Sequence, residues 1–375
     1  MKMYSNIIIN GNLKVSLNNM SKSEWLEIFG STYSLDMLYI CLLTPLSLCG
    51  LLLNLLCYYV LTKAEFSNIL IFRYIKYHIL VSSVICVALS LLFLSHTNQI
   101  FSFANSFAAK SIGAYIVLPT VLVCYTFSSI LSIFITIERI FTLKARNQTN
   151  KPISTRLLAT IILICVLLNL PLLLTVYPAY SEVDLDTGES FTIYYTGITA
   201  FAQSNNGKVL CSVSYVFRDM LTMTIDLYLN GILILMFKRH LRKRKSIMST
   251  KIKELYRAPE PTRMEVDNEQ AEMISNLSRS QCVSETCLHL EAANRADKNL
   301  TVMVILFSVL SVLEHLFVLL GLVSYVVSPD LKTLTFLLVC GLFLAVRYAS
   351  NVFIMAVFNS LFRKAFVDMI KSALY

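Results

Sequence analysis

Leu118 to Arg146 reads LPTVLVCYTFSSILSIFITIERIFTLKAR, an apolar run that ends in an acid and a base side by side and then in further cations. From Leu118 to Ile137 it holds no charged residue, close to the ~20 residues a helix needs to cross hydrocarbon. Glu138 and Arg139 are too costly at the bilayer centre and therefore belong at or near a membrane face. Taken alone, such a pair marks only where a crossing ends. Its meaning depends on the rest of the chain.

With 56% hydrophobic and 15% charged residues among 375, the chain is too apolar for an ordinary soluble domain. An integral membrane protein is expected. The net charge of +9 does not point to nucleic acid, because the cations fall between apolar runs rather than on one soluble face. Residues 1–35 are polar and contain the glycosylation sequon Asn19-Met20-Ser21, which fits an extracellular tail. No cleavable signal is read in it, so the first crossing itself directs insertion. Of the ten cysteines, Cys41, Cys49, Cys57, Cys86, Cys124, Cys165 and Cys340 lie inside apolar runs as packing residues. Cys282, Cys287 and His289 lack a second ligand pair, so no metal is expected there.

Apolar runs place crossings at about 36–62, 72–95, 109–142, 154–177, 211–237, 299–326 and 334–358. This is an all-α membrane protein, a seven-transmembrane helix bundle over 36–358. Residues 359–375 form a short amphipathic helix and tail, with Leu361, Phe362, Phe366, Met369 and Ile370 on one face resting against membrane lipid. The inner loop 238–298 is charged and rich in serine, and is expected to be largely disordered. Glu189 to Ala202 is rich in β-branched and aromatic residues and predicts a two-stranded hairpin.

The cations divide unequally. One side has Lys63, Arg73, Lys76, Arg139, Lys144, Arg146, Lys151, Arg156, the cluster after Phe237, Arg363, Lys364 and Lys371. The loops opposite have Lys110, Lys208, Arg218 and Lys332, with Lys2, Lys14 and Lys22 in the tail. The positive-inside rule then puts the N-terminus outside and the C-terminus in the cytoplasm of a plasma-membrane protein. No internal repeat or paired broken helices, common in transporters, is evident.

Seven crossings in this orientation, with residues matched in three of them, resemble a divergent rhodopsin-like (class A) G-protein-coupled receptor similar to invertebrate neuropeptide receptors. In that family the third helix ends in an acid-Arg-aromatic triplet, here Glu138-Arg139-Ile140. The resemblance implies that the carboxylate holds the guanidinium at rest, and that the Arg turns to a heterotrimeric G protein on activation. The family's Asn-Pro-x-x-Tyr and following Phe-Arg correspond in spacing to Asn351 through Met355, then Phe362-Arg363. Glu138, Arg139, Asn351, Met355 and Phe362 are thus the implied switch residues. Asn54 stands where the first helix carries its Asn, and with Ser82 and Ser83 serves helix packing. The second-helix Asp that helps bind sodium in the family is a serine here, Ser82 or Ser83, so no sodium site is expected. Ala114 stands where a third-helix Cys would bond the second outer loop, which leaves Cys211 without its usual partner.

Asp226, Glu314, His315 and Arg347 fall near the middle of their crossings, where charges pair or line a wet cavity. Glu314 and Arg347 are expected to form an interhelical ion pair at the floor of a ligand pocket, with His315 and Asp226 nearby. A purely structural pair is the competing reading. No phosphate loop, HExxH or GxSxG is present, so no catalytic site or cofactor is expected and the chain is read as a non-enzyme. Acidic residues at Glu182, Asp184, Asp186 and Glu189 favour a peptide ligand, with a small-molecule chemosensory receptor as the alternative and a transporter or channel behind it. Hydroxyls from Ser246 to Thr286 make the third inner loop the expected target of kinases and arrestin.

Overall fold

A computed structural model describes residues 39–63, 66, 69–92, 106–144, 155–184, 190–256, 295–320 and 331–374. Helix α1 (Thr44–Leu61) follows a π turn at Tyr39–Leu43, and α2 spans Leu70–Ser90. Helix α3 runs Phe107–Lys144 through a π turn at Gly113–Val117. Both π turns stand two residues before a proline, Pro45 and Pro119. Proline lacks an N–H and its ring presses on the carbonyl one turn back, so a widened turn just upstream lets the helix pass without breaking.

Helix α4 covers Thr155–Leu173, then strands β1 (Val176–Asp184) and β2 (Ser190–Ile198) form an antiparallel hairpin with Val176 opposite Ile198 and Asp184 opposite Ser190. After a one-turn helix at Ala200–Gln203, α5 proceeds as Asn205–Tyr215, a π turn at Val216–Leu221 and Thr222–Tyr256. Helix α6 is Arg295–Leu320, α7 is Leu331–Ala349 and Asn351–Phe358 with a break at Ser350, and α8 is Ser360–Leu374.

Six of these helices are long and apolar enough to cross a membrane, namely α1, α2, α3, α5, α6 and α7. Helix α4, with 19 residues, rises about 28 Å, close to the thickness of hydrocarbon. The surface is sorted accordingly. Leu52, Leu163, Leu235 and Phe353 are more than half exposed, while Asn54, Ser82, Arg347 and Asn351 are buried among the helices. This all-α bundle is that of a multi-pass membrane protein.

Several boundaries differ from the expectation. The fourth crossing stops at Leu173 rather than residue 177, because Val176, Tyr177 and Tyr180 favour an extended chain and belong to β1. The hairpin therefore begins upstream of the stretch that predicted it. The inner loop is not largely disordered over its first third. Helix α5 continues to Tyr256, since Lys238 to Tyr256 holds neither glycine nor proline and is dominated by good helix formers. Residues 257–294, with Cys282, Cys287, His289 and the hydroxyls from Ser275 to Thr286, lie outside the described residues, as does the tail with Asn19. Lys110 and Arg218, assigned to outer loops, are instead buried in α3 and α5.

Two apolar clusters fill the bundle. The first gathers Ile75 and Ile79 of α2, Ile135 of α3, Leu233 of α5, Met303 and Phe307 of α6, and Val352 and Met355 of α7. Phe362 and Ala365 of α8 join it, with Phe66 meeting Phe72 and Phe362 edge-on at ring separations of 5.2 and 6.5 Å. Lys63 Nζ donates to the Ala365 carbonyl at 3.4 Å, which fixes α8 beneath α1. Leu361 and Ile370 do not share the face of Phe362, Phe366 and Met369. They are exposed on either side of it, because the apolar stripe of α8 is wider than the bundle surface it covers. The second cluster holds Val81, Ile85 and Cys86 of α2, Phe127 and Leu131 of α3, Ile161 and Cys165 of α4, and Ala345 and Tyr348 of α7.

At Gly50, α1 lies close against both α2 and α7. A Cβ there would stand 3.1 Å from Cys86 Sγ and 3.2 Å from Ala349 Cβ. Gly50→Val should therefore cost about 1–3 kcal/mol by overpacking and lower the thermal unfolding midpoint of the detergent-solubilised protein, while Leu52→Val on the exposed face of the same helix leaves it nearly unchanged.

Candidate functional site

Polar side chains occupy the bundle interior at successive depths, each held by several helices. The outermost group lies where the π turn of α5 places Arg218 and Asp219. Arg218 bonds Asp219 Oδ2 at 2.7 Å through one terminal nitrogen and donates to Asn169 Oδ1 of α4 at 3.1 Å through the other. Asn169 Nδ2 in turn donates to Thr126 Oγ1 of α3 and to the Cys165 carbonyl, both at 2.8 Å. The Arg218 guanidinium lies over the rings of Tyr125 and Tyr215 at 5.2 and 5.0 Å. On the other side of Asp219, Tyr125 Oη of α3 and His315 Nδ1 of α6 each lie 3.1 Å from Oδ1 and 2.5 Å from each other. Arg218, Asp219, Tyr125 and His315 are all buried. A carboxylate shared by an arginine, a phenol and an imidazole satisfies its lone pairs without water, which is what makes a charge tolerable there.

The next group joins α6 to α7, α1 and α2. Arg347 Nε is 3.8 Å from Glu314 Oε2, within ion-pair distance between α7 and α6. Tyr348 Oη donates to Glu314 Oε1 at 2.5 Å. Arg347 also donates to Asn351 Oδ1 at 3.0 Å and to the Phe307 carbonyl at 3.5 Å, with its guanidinium 5.8 Å from the Phe307 ring centre. Asn351 Nδ2 donates to Asn54 Oδ1 at 3.2 Å and Ser82 Oγ at 3.1 Å, and Asn54 Nδ2 donates to the Tyr348 carbonyl at 3.0 Å. Asn54, Ser82 and Asn351, singled out separately in the sequence, are thus one junction of α1, α2 and α7. Ser83 does not join it. Its hydroxyl returns to the Ile79 carbonyl of its own helix at 3.0 Å. Met355 and Phe362 are wholly buried in the first apolar cluster.

His315 is therefore not part of the Glu314 pair. Neighbours on one helix point about 100° apart, so Glu314 faces α7 while His315 faces α3 and α5. Asp226 lies within electrostatic reach of His315, Arg347 and Glu314, but among the described residues it forms no ion pair with any of them. It is fully buried and neither carboxylate oxygen has a hydrogen-bond partner among the described residues.

The innermost group surrounds Arg139, which is only 2% exposed. Its partners are on α6. It forms an ion pair with the Asp297 carboxylate, donates to the Asp297 carbonyl at 2.7 Å, and reaches Thr301 Oγ1 with Nε at 3.0 Å and with a terminal nitrogen at 2.7 Å. Glu138, expected to hold this guanidinium, is not among those partners. It is half-buried and engaged elsewhere. The carboxylate that meets Arg139 comes from a different helix, Asp297 of α6. His240 Nε2 and Arg244 of α5 stand 3.3 and 3.8 Å from Asp297 Oδ2, which brings two guanidinium groups and an imidazole from two helices to one carboxylate.

Reading the sequence missed Tyr125, Asn169, Arg218, Asp219, Asp297, Thr301 and Tyr348. A signal existed for Arg218-Asp219, an acid and a base together in an apolar run, the same pattern that drew attention to Glu138-Arg139. Among the described residues no group of three or more histidine, cysteine, aspartate or glutamate side chains is arranged to hold a metal. Cys211 is not disulfide-bonded, and its Sγ lies 3.6 Å from the Pro171 carbonyl.

Seven apolar helices, an eighth lying beneath the first, and a hairpin after the fourth define the fold. Among solved structures, the crystal structure of squid rhodopsin is similar to this chain with a TM-score of 0.58, over 90% of this chain and 87% of that one, at 14% sequence identity. No protein-family model matches the chain, and no curated protein matches it in sequence.

The Glu314 and Arg347 pair gives a test of the middle group. Arg347→Gln should destabilise the protein by about 3–5 kcal/mol because it leaves Glu314 buried without its cation, whereas Glu314→Gln combined with Arg347→Gln should cost less than the sum of the two single changes. Thermal unfolding of the four proteins in detergent measures the coupling. Additive losses would mean that the two side chains do not act as a pair.

Proposed function

We propose that this chain is a receptor at the plasma membrane, with its N-terminus outside and its C-terminus in the cytoplasm, that binds an extracellular ligand and activates a heterotrimeric G protein. The observation that carries this reading is the attachment of Arg139 on α3 to Asp297 and Thr301 on α6. These contacts clamp together the ends of two helices whose separation would open a cleft between them, with Arg139 at its floor. The cationic ends of α5 and α8, with Lys238, Arg239, Arg242, Lys243, Arg363 and Lys364, border the same face and suit an acidic partner or anionic lipid.

A peptide ligand is favoured by the acidic residues Glu182, Asp184, Asp186 and Glu189 around the hairpin turn. Arg218, Asp219, Tyr125 and His315 lie below the hairpin, where a ligand reaching between the helices meets charged and aromatic groups. The chain is read as a non-enzyme, and the third inner loop as the site where kinases and arrestin act.

Proximity sensors on a panel of Gα subunits in transfected cells test the central claim. Asp297→Asn weakens charge-assisted hydrogen bonds each worth about 1.5–3 kcal/mol, so ligand-independent coupling should rise about tenfold or more at equal surface expression. Arg139→Ala should remove coupling, including that released by Asp297→Asn. Well-expressed protein in which neither change alters coupling to any Gα subunit would rule out the receptor reading.

A further inference from the structure

Every buried cation in the middle of the bundle faces a carboxylate: Arg218 faces Asp219 and Arg347 faces Glu314. Asp226 is a third carboxylate with no cation of its own. It is fully buried, and among the described residues neither of its oxygens has an aligned hydrogen-bond partner. The Ser311 hydroxyl of α6 faces it and is itself buried without an aligned partner. One turn along α5, Asn230 commits its Nδ2 to the Asp226 carbonyl at 2.8 Å and to Ser308 Oγ at 2.5 Å, which leaves its Oδ1 buried and unpartnered. Oxygen atoms from two helices thus lie within one turn of each other along the α5–α6 interface, carrying one negative charge with the Ser311 hydroxyl as the donor that faces it.

We propose that Asp226, Ser311 and Asn230 bind a single monovalent cation of sodium size between α5 and α6. The donor set is all oxygen, which suits a hard cation, and its single carboxylate matches a single positive charge rather than two. The charged groups that reach Asp226 from the packed helices are His315 and Glu314 on α6 and Arg347 on α7. Arg347 and Glu314 offset each other. His315 presents Nδ1 to Asp219 and to Tyr125, so it is already engaged by a carboxylate other than Asp226, and its Nε2 is buried with no hydrogen-bond partner among the described residues. Neutral water would satisfy the oxygens yet leave the charge uncompensated at a depth where an isolated carboxylate is not tolerated. The cation supplies both and ties α5 to α6 through the Asp226 carboxylate, the Ser311 hydroxyl oxygen and the Asn230 carbonyl oxygen.

The purified full chain in detergent tests this without any ligand or G protein, so its outcome is separate from that of the receptor reading. Thermal unfolding is followed at fixed pH and ionic strength while choline chloride is replaced by sodium chloride or potassium chloride. Sodium should raise the midpoint by several degrees with a saturating dose dependence, and potassium should do so less. Asp226→Asn should abolish the ion-specific shift, and Ser311→Ala or Asn230→Ala should move its dependence to roughly tenfold higher sodium, which keeps the test decisive if Asp226→Asn fails to fold. Identical midpoints in all three salts, a sodium shift that persists in Asp226→Asn, or a midpoint that follows pH equally in sodium and choline would each overturn the proposal.

Discussion

An ionised side chain inside hydrocarbon must find its counter-charge within the protein, and the architecture of this bundle follows from that requirement. A solitary charge at the bilayer centre costs at least about 2.5–3.5 kcal/mol, and a single bond to a neighbour offsets only part of this. Arg218 is therefore surrounded by Asp219, Asn169, Tyr125 and Tyr215, and Arg347 by Glu314, Asn351, the Phe307 carbonyl and two aromatic faces. No one helix supplies such a shell. Apolar packing between helices has little driving force in lipid, where the alternative surroundings are equally apolar. The polar groups thus fix which helices are neighbours and how they are rotated.

The crossings were legible because they rest on a coarse property, the length of apolar runs, and the interior charges because they interrupt those runs. Partner choice was not legible. Glu314 and Arg347 met because α6 and α7 are neighbours in the fold suggested by resemblance, but His315 turned to Asp219, a residue that no sequence spacing links to it. Glu138 looked like the natural holder of Arg139 because it is next to it in sequence, yet the guanidinium turns to Asp297 and Thr301 of α6, which no spacing in the sequence links to it. Asp297 was hidden for the opposite reason. It lies in a charged stretch that reads as a solvated loop, and only the inward extension of α6 turns it into the counter-ion of a buried arginine.

The helix ends show the same contest between local preference and membrane. Val176 and Tyr177 are apolar enough to prolong α4, but at the rim of the bilayer β-branched and aromatic residues are free to pair as strand. There Thr199 closes the hairpin by donating to the Thr175 carbonyl from its N–H at 2.9 Å and to the Leu174 carbonyl from its hydroxyl at 2.7 Å. At the other rim, charged residues continue α5 well past the apolar run, since Lys and Arg are good helix formers once water can solvate them.

Helix α6 connects these levels. Asp297, Thr301, Val304, Ser308, Ser311 and His315 recur at alternating steps of four and three residues, the spacing that keeps side chains in line along one face of a helix. Each is buried or partly buried, and four of them engage another helix: Asp297 and Thr301 reach Arg139, Ser308 reaches Asn230, and His315 reaches Asp219 and Tyr125. A helix whose own hydrogen bonds stay intact moves as a rod, so a rotation that withdraws Asp297 from Arg139 also carries Ser308 from Asn230 and His315 from Asp219. The contacts at the two ends are then alternatives to the same displaced state rather than independent latches. Any ligand that binds more tightly when His315 has left Asp219 necessarily favours the release of Arg139, by no more than that difference in binding.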